Sequence, residues 1–367
     1  MKFDKIGFIG LGLIGGSIAK TIRRIYPATT MIATAGHAST IEEAYADGTI
    51  RNKELPKLSE FADCDLIFLC CPVRKNVEYL HSLKPLLSKH CMLTDVGSVK
   101  SDIHKEIIKL DMEAQFIGGH PMTGSEKTGY SSATAYLLEN AYYMITPSAH
   151  TPAEELQQFQ SYISSLGALT MLLDYEAHDH ATASISHLPH VIAASLVNLI
   201  AAIDDENETM KTIAAGGFKD ITRIASSSPV MWQNICLSNR EQIISLIDAF
   251  TDQLAKAREL ISKEDAEAIY RFFESAKDYR DSLSIKTSGS MKKIYEFYCD
   301  LIDEAGGIAT IATLLAGHNL SIKNIGIIHN REFEQGVLHI EMYDDTSLTE
   351  ALALLQKYHY TVYTRSV

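Results

Sequence analysis

Lys5-Ile6-Gly7-Phe8-Ile9-Gly10-Leu11-Gly12-Leu13-Ile14-Gly15-Gly16-Ser17 is the stretch on which the fold turns. Lys5–Ile9 is a short apolar run of the kind a buried strand needs, and Ser17–Arg24 reads as a helix. Between them stands G-x-G-x-x-G in the strand-to-helix context that gives the motif meaning. Gly10 allows a tight turn, Gly12 lets a pyrophosphate approach the backbone, and Gly15 lets helix and strand pack closely. Leu11, Leu13 and Ile14 complete the loop. The free N–H groups at the helix start would hold the phosphates, so a dinucleotide-binding α/β domain is expected here. A second strand at Thr30–Thr34 should end in an acid for the adenosine ribose. The sequence instead runs Ala33-Thr34-Ala35-Gly36-His37, with neither an acid nor an Arg for a 2′-phosphate. NAD is the default cofactor, with NADP open.

Outward from this loop, strand and helix signals alternate. Asp65–Cys70 is apolar and ends at Cys71-Pro72, and Cys91–Val96 leads into Gly97-Ser98. Ala141–Thr146 and Ala168–Leu173 finish the pattern, with an amphipathic helix at Pro152–Leu166. Alternating βαβ units imply a Rossmann-type parallel sheet with its ligand crevice at the carboxyl ends of the strands. Gly10–Gly15, Cys71-Pro72 and Gly97-Ser98 all fall at such ends. Ser98 either caps the next helix or orients a catalytic group across the crevice. Gly118–Gly129 is rich in Gly and polar residues and reads as a loop holding His120, Glu126 and Lys127, stiffened by Pro121.

From Tyr175 to about Leu283 the sheet pattern stops and the chain becomes helical. Ile185–Ile203 is apolar around nearly its whole circumference, which places it in a core or at a subunit interface. Pro189 frees the carbonyl of Ile185, so a kink is expected. His180, His187 and His190 on this helix admit three readings: metal ligands without a completing carboxylate or thiolate, substrate contacts across a cleft, or satisfied core histidines. Gly216-Gly217 then opens a short helix with Lys219 and Arg223 on one face, where an Arg fork suits a carboxylate.

The bulk numbers exclude other classes. Over 367 residues, 46% hydrophobic and 22% charged content are those of a globular protein of two or three domains. A net charge of -13 argues against nucleic acid and anionic membrane surfaces. The six Cys form no C-x-x-C pair and suit a reduced, cytoplasmic setting. No signal peptide is visible, and no run approaches the ~20 apolar residues of a membrane span.

Taken together, the motifs GLGLIGGS (10–17), TDVGSVK (94–100), GGHPMTGSEKTG (118–129), HD (178–179), SHLPH (186–190), GGFKDITRIA (216–225) and MW (231–232) resemble the prephenate dehydrogenase family of the TyrA type. The resemblance implies nicotinamide-dependent oxidative decarboxylation of prephenate to 4-hydroxyphenylpyruvate, in tyrosine biosynthesis. It makes His120 the catalytic histidine, Ser98 its hydrogen-bonding serine and Arg223 the substrate carboxylate anchor. It places His187, His190, Gly216 and Lys219 on the substrate side. The all-apolar helices of 183–203 separately lead to the expectation of a homodimer. Two alternatives stay open: arogenate dehydrogenase, and a non-catalytic amino-acid-sensing protein with a degenerate dehydrogenase domain.

Asp281–Lys293 lacks periodicity and reads as a linker. Beyond it come a strand with Tyr295, Phe297, Cys299 and Leu301 on one face, a helix at Gly307–Leu315, and a strand at Leu320–His329. A turn at Asn330–Gly336, a strand at Val337–Tyr343, a helix at Ser347–Tyr358 and a strand at Tyr360–Thr364 follow. This ferredoxin-like βαββαβ order looks like an ACT domain, with Ala305-Gly306 where that family has Pro-Gly. The resemblance implies tyrosine as a feedback effector, against a purely structural dimerisation role. The expected domains are therefore 1–174 (dinucleotide-binding), 175–285 (helical, substrate and dimerisation) and 294–367 (ACT).

Overall fold

The computed structural model describes residues 3–124, 127–282, 295–300, 306–328 and 337–364. Contacts divide the chain into two units, Met1–Ser288 and Gly289–Val367.

The first unit begins with β1 (Lys5–Ile9), α1 (Leu13–Ile25), β2 (Thr30–Thr34), α2 (Ala38–Ala46), β3 (Leu66–Leu69), α3 (Val73–Leu83), β4 (Met92–Asp95) and α4 (Ser101–Lys109). β5 (Phe116–Pro121), β6 (Tyr142–Pro147), α5 (Ala153–Ser165) and β7 (Leu169–Leu172) complete a seven-stranded sheet of order β2-β1-β3-β4-β5-β6-β7. Its core lies in two layers, as strands buried on both faces require. Ile18, Ile22, Phe159 and Ile163 pack on one face, and Leu80, Leu83, Ile103 and Ile107 on the other.

Two expectations need correction here. β1 to β5 are mutually parallel, but β6 runs antiparallel to β5, and β7 follows β6. The described connection from β5 to β6 holds only a short 3₁₀ turn at Tyr130–Ser132, not the crossover helix a parallel return needs. Second, Gly118 to Pro121 are strand, not loop. The glycines that suggested a loop are there because neighbours occupy the side-chain space. A Cβ on Gly118 would lie 2.2 Å from Thr146 Oγ1, and one on Gly119 would lie 2.6 Å from Tyr143 Oη and 2.7 Å from the Asp95 carbonyl. Ser125 and Glu126, in the same motif, lie outside the described residues.

The helical part follows: α6 (Tyr175–Thr182), α7 (Leu188–Ile203), α8 (Thr209–Ile213), α9 (Gly216–Thr222), α10 (Pro229–Ser238), α11 (Arg240–Ser262) and α12 (Ala266–Ser282). α6 and α7 form one continuous helix joined by a π-helical turn at Ala183–His187. The turn sits where Pro189 leaves the Ile185 carbonyl without an i+4 donor. Ala193 is the only buried residue of α7, while Leu199 and Ile203 are more than half exposed. The apolar circumference is thus not in the core of this chain. Tyr175–Ile203 is also long and apolar enough, by length and composition, to cross a membrane, contrary to the expectation that no run comes near that. Its first turns carry His178 and Asp179, which are buried against the sheet domain's own polar groups. A helix pinned there by charged and imidazole groups is a poor span.

The second unit comprises β8 (Tyr295–Asp300), α13 (Gly307–Gly317), β9 (Ile322–Ile328), β10 (Val337–Met342), α14 (Asp345–Lys357) and β11 (Val362–Tyr363). The sheet order is β11-β8-β10-β9, antiparallel throughout, which is the ferredoxin-like arrangement. Phe297 and Cys299 point into its core with Ile311, Leu315, Leu338, Ile340, Ala351 and Leu355. The last strand is shorter than expected. Residues 283–293 of the expected linker, Leu301, Ala305, His329 and the expected turn Asn330–Gly336 lie outside the described residues.

Candidate active site

The loop from β1 to α1 has the shape of an anion cradle. Gly10 takes a positive φ of +96°, and a Cβ there would meet Cys71 Sγ at 2.7 Å. A Cβ on Gly15 would meet the Gly10 carbonyl at 2.7 Å, whereas nothing lies within 4 Å of the same point on Gly12. The start of α1 has no side-chain cap and no acid in its first turn, so its N–H groups are left for an anionic ligand. Leu11 is buried in the core, while Leu13 and Ile14 are partly exposed. This geometry fits a dinucleotide pyrophosphate.

Beside the cradle, β3 leads into Cys71-Pro72. Buried Asn76 pins that turn, accepting from the Cys71 N–H at 3.0 Å and donating to the Leu69 and Cys71 carbonyls. Burial pushes the Cys71 thiol up to about 11, so it is a neutral group here. A cavity of about 310 Å³ opens against it, lined by Cys71, Pro72, Gly97 and Ser98 from the sheet side and by Met231 and Ser238 from α10. That volume is at the lower end for a small-molecule pocket.

Ser98 therefore faces the cavity. It does not cap α4, and no hydrogen bond joins it to His120 in this structure. The cap on α4 comes from far along the chain. Asp179 on α6 accepts the N–H of Lys100 at 2.7 Å on Oδ1 and that of Ser101 at 2.8 Å on Oδ2. Burial alone would raise this carboxyl, but hydrogen bonds from His178, Ser101 and Lys100 hold it below the usual carboxylate range.

His120 stands near the end of β5, half-buried, with Nδ1 2.9 Å from Nε2 of buried His178. His178 Nδ1 lies 2.9 Å from Asp179 Oδ1. Desolvation, then the neighbouring His178, Lys100 and His187, push the His120 imidazole well below its ordinary value. It is neutral near pH 7, the state a proton acceptor needs. Beneath it, fully buried Lys100 pairs with Asp95 and donates to the Gly119 carbonyl at 2.8 Å. Asp95 in turn accepts from the Gly97 N–H at 2.9 Å and the Gly119 N–H at 3.2 Å. Asp95 and Lys100 thus tie the β4 turn to the strand that carries His120.

The three histidines of the long helix go separate ways. Exposed His180 Nδ1 meets Gln242 Oε1 at 3.0 Å. His187, on the π-helical turn, is buried, and its Nδ1 lies 3.2 Å from Asn239 Nδ2, which also donates to the Asp179 carbonyl. His190 stacks on Trp232 at 3.9 Å between ring centroids and donates from Nδ1 to the Ser186 carbonyl. Among the described residues the three do not gather as metal ligands. Among the described residues, Trp232 Nε1 is buried without a protein partner, as is Ser238 Oγ at the cavity wall. Both are polar atoms available to a ligand. Gly216 and Lys219 lie on α9, and Arg223 opens the 3₁₀ turn after it; both segments pack on α7, and Lys219 and Arg223 are exposed.

Sequence reasoning named His120, Ser98, His187 and His190 but gave no role to Asp95, Lys100, Asp179 or Asn239. Asp95, Lys100 and Asp179 stood in quoted motifs. Asn239 carried no signal, because its partners lie 52 and 60 positions away.

Residues 18–172 match the model of the prephenate dehydrogenase nucleotide-binding domain, and residues 174–275 that of the prephenate dehydrogenase dimerization domain. The prephenate dehydrogenase of Bacillus subtilis is 37% identical over 93% of both chains. The crystal structure of the Aquifex aeolicus prephenate dehydrogenase with hydroxyphenyl propionate and NAD+ has a TM-score of 0.73 at 29% identity, covering 77% of this chain and 99% of that one. The Synechocystis arogenate dehydrogenase structure has a TM-score of 0.68 at 31% identity, covering 76% and 99%. The anion cradle, the cleft beside it and both matched domains lead to one conclusion: the chain belongs to the prephenate dehydrogenase family.

Proposed function

We propose that this protein oxidatively decarboxylates prephenate to 4-hydroxyphenylpyruvate with NAD, in the cytoplasm and on the route to tyrosine. The observation that carries the reading is a neutral imidazole, His120, wired to His178 and Asp179 on the carboxyl edge of a sheet whose first loop is a phosphate cradle. Gly10, Gly12 and Gly15 hold the cofactor's phosphates, and Cys71 and Pro72 wall its inner end. NAD supplies the hydride acceptor. His120 takes the proton of the ring hydroxyl as the carbinol carbon loses hydride. The ring carboxylate then leaves as CO2, its bonding pair aromatises the ring, and the phenolate oxygen recovers the proton. Arg223 and Lys219 supply positive charge for a dicarboxylate in a chain of net charge -13. His187, His190, Gly216 and Ser98 line the substrate side.

The subunit pairs with a second copy through its helical part. The C-terminal unit is an ACT module that takes tyrosine as feedback effector, a reading supported by its ferredoxin-like strand order.

A direct assay tests the proposal: purified protein with prephenate or arogenate, NAD or NADP, and with or without tyrosine, following reduced nicotinamide. Turnover of prephenate with NAD, inhibited by tyrosine, is expected. His120→Asn should lower kcat by about 10²–10⁴-fold, the contribution of a positioned base, with a smaller change in KM. Faster turnover of arogenate reassigns the substrate, and unaltered kcat in the variant removes His120 from the mechanism.

A further inference from the structure

We propose that His178 and Asp179 are positioning residues that fix the tautomer of His120, leaving its Nε2 as the lone-pair base. This deepens the functional reading above and rests on it for the identity of the reaction.

The chain of reasoning starts at the carboxylate. Asp179 accepts two backbone N–H groups at the start of α4, from Lys100 and Ser101. Those donors, together with the partial positive charge of a helix N-terminus, keep it ionised. An ionised carboxylate can only accept. The 2.9 Å contact from His178 Nδ1 to Asp179 Oδ1 therefore carries a proton on Nδ1. With a single proton, which is part of what is proposed, that imidazole has its lone pair at Nε2. That atom lies 2.9 Å from His120 Nδ1, so His120 must donate there. The remaining nitrogen of His120, Nε2, is left without a proton.

The other tautomer would present an N–H where the substrate hydroxyl has to lose one. Because backbone amides anchor the far end of the relay, the tautomer does not depend on substrate. When Nε2 takes the substrate proton, the imidazolium keeps its Nδ1–H on His178, and His178 keeps its own on Asp179. No proton needs to move along the chain, and the carboxylate stabilises the new charge through the intervening ring. The other charged or titratable groups around the pair are Lys100 and Asp95 below β5, His104 on α4 and His187 on the π-helical turn.

The test reads tautomers directly. ¹⁵N NMR of imidazole nitrogens in the full-length chain, assigned with His120→Asn and His178→Leu, should show both residues protonated on Nδ1 and bare on Nε2 above neutral pH. His178→Leu should lower kcat by about 10²-fold with a smaller change in KM, and should shift the acid limb of kcat/KM, because the base loses its fixed partner. A proton on His120 Nε2 in the wild-type protein, or a doubly protonated His178, overturns the proposal. So does a His178→Leu enzyme with wild-type kcat and pH profile. If that variant does not fold, the wild-type spectrum decides alone. A protein with the expected tautomers that fails to oxidise prephenate refutes the function and leaves the relay standing.

Discussion

Burying an imidazole disfavours its charged form, and this molecule does so repeatedly beside one cleft. Burial carries His104 down to about 3 and His187 down to about 4, and His120 falls well below 6.5. In the unfolded chain all three titrate near 6.5. A lowered folded value means the unfolded state binds protons first as pH falls. The stability they contribute is complete above about pH 6.5 and falls as pH drops below it, at roughly 1.4 kcal/mol per unit for each ring until that ring's own folded value is reached. Asp179 adds a loss lower still, because its folded value is depressed. Urea unfolding followed from neutral pH to about pH 4.5 should show a steadily falling midpoint; a flat one would mean these rings are charged when folded. At this scale the sequence disclosed single residues but not their partners. His120 stood out as the histidine of a Gly-rich polar stretch, and Ser98 as a polar residue at a strand end. The bonds around them span 58 to 79 positions, from His120 to His178 and from Lys100 to Asp179, and no local pattern encodes such pairs.

Among the elements, β5 is the instructive case. Its glycines carry the usual mark of a loop, yet they are strand residues with no room for a side chain. Gly119 adjoins His120 and lies between the Asp95 carbonyl and the Tyr143 ring. Gly119→Ala should therefore move the strand itself, at a cost of about 1–3 kcal/mol for overpacking. A displacement near 1 Å at the base should lower kcat by about 10²-fold. Thermal unfolding and steady-state kinetics check both, and a fully active alanine variant would show that β5 has slack. The strand and helix order of the sheet was legible because each unit repeats a period. The reversal at β6 was not, since strand direction depends on the path of the connection rather than on the strand. Pro189 announced a helix irregularity, and the π-helical turn just before it carries His187.

For the whole molecule, the telling feature is apolar surface. Leu199, Ile203, Ile244, Leu254, Ile261 and Phe273 are each more than half exposed in the single chain. So much uncovered apolar area is rare on a monomer, and it lies in the part that matches a dimerization domain. Light scattering should return twice the chain mass, and Leu199→Asp with Phe273→Asp should return a single chain mass. A wild-type monomer at micromolar concentration would leave that surface to another partner. The one Trp of the sequence, Trp232, stacks on His190 within the helical part. The protein consequently holds a solitary indole, set face to face with an imidazole where α10 meets α7. Its emission would report the seating of α10 on α7 in real time, without any added dye.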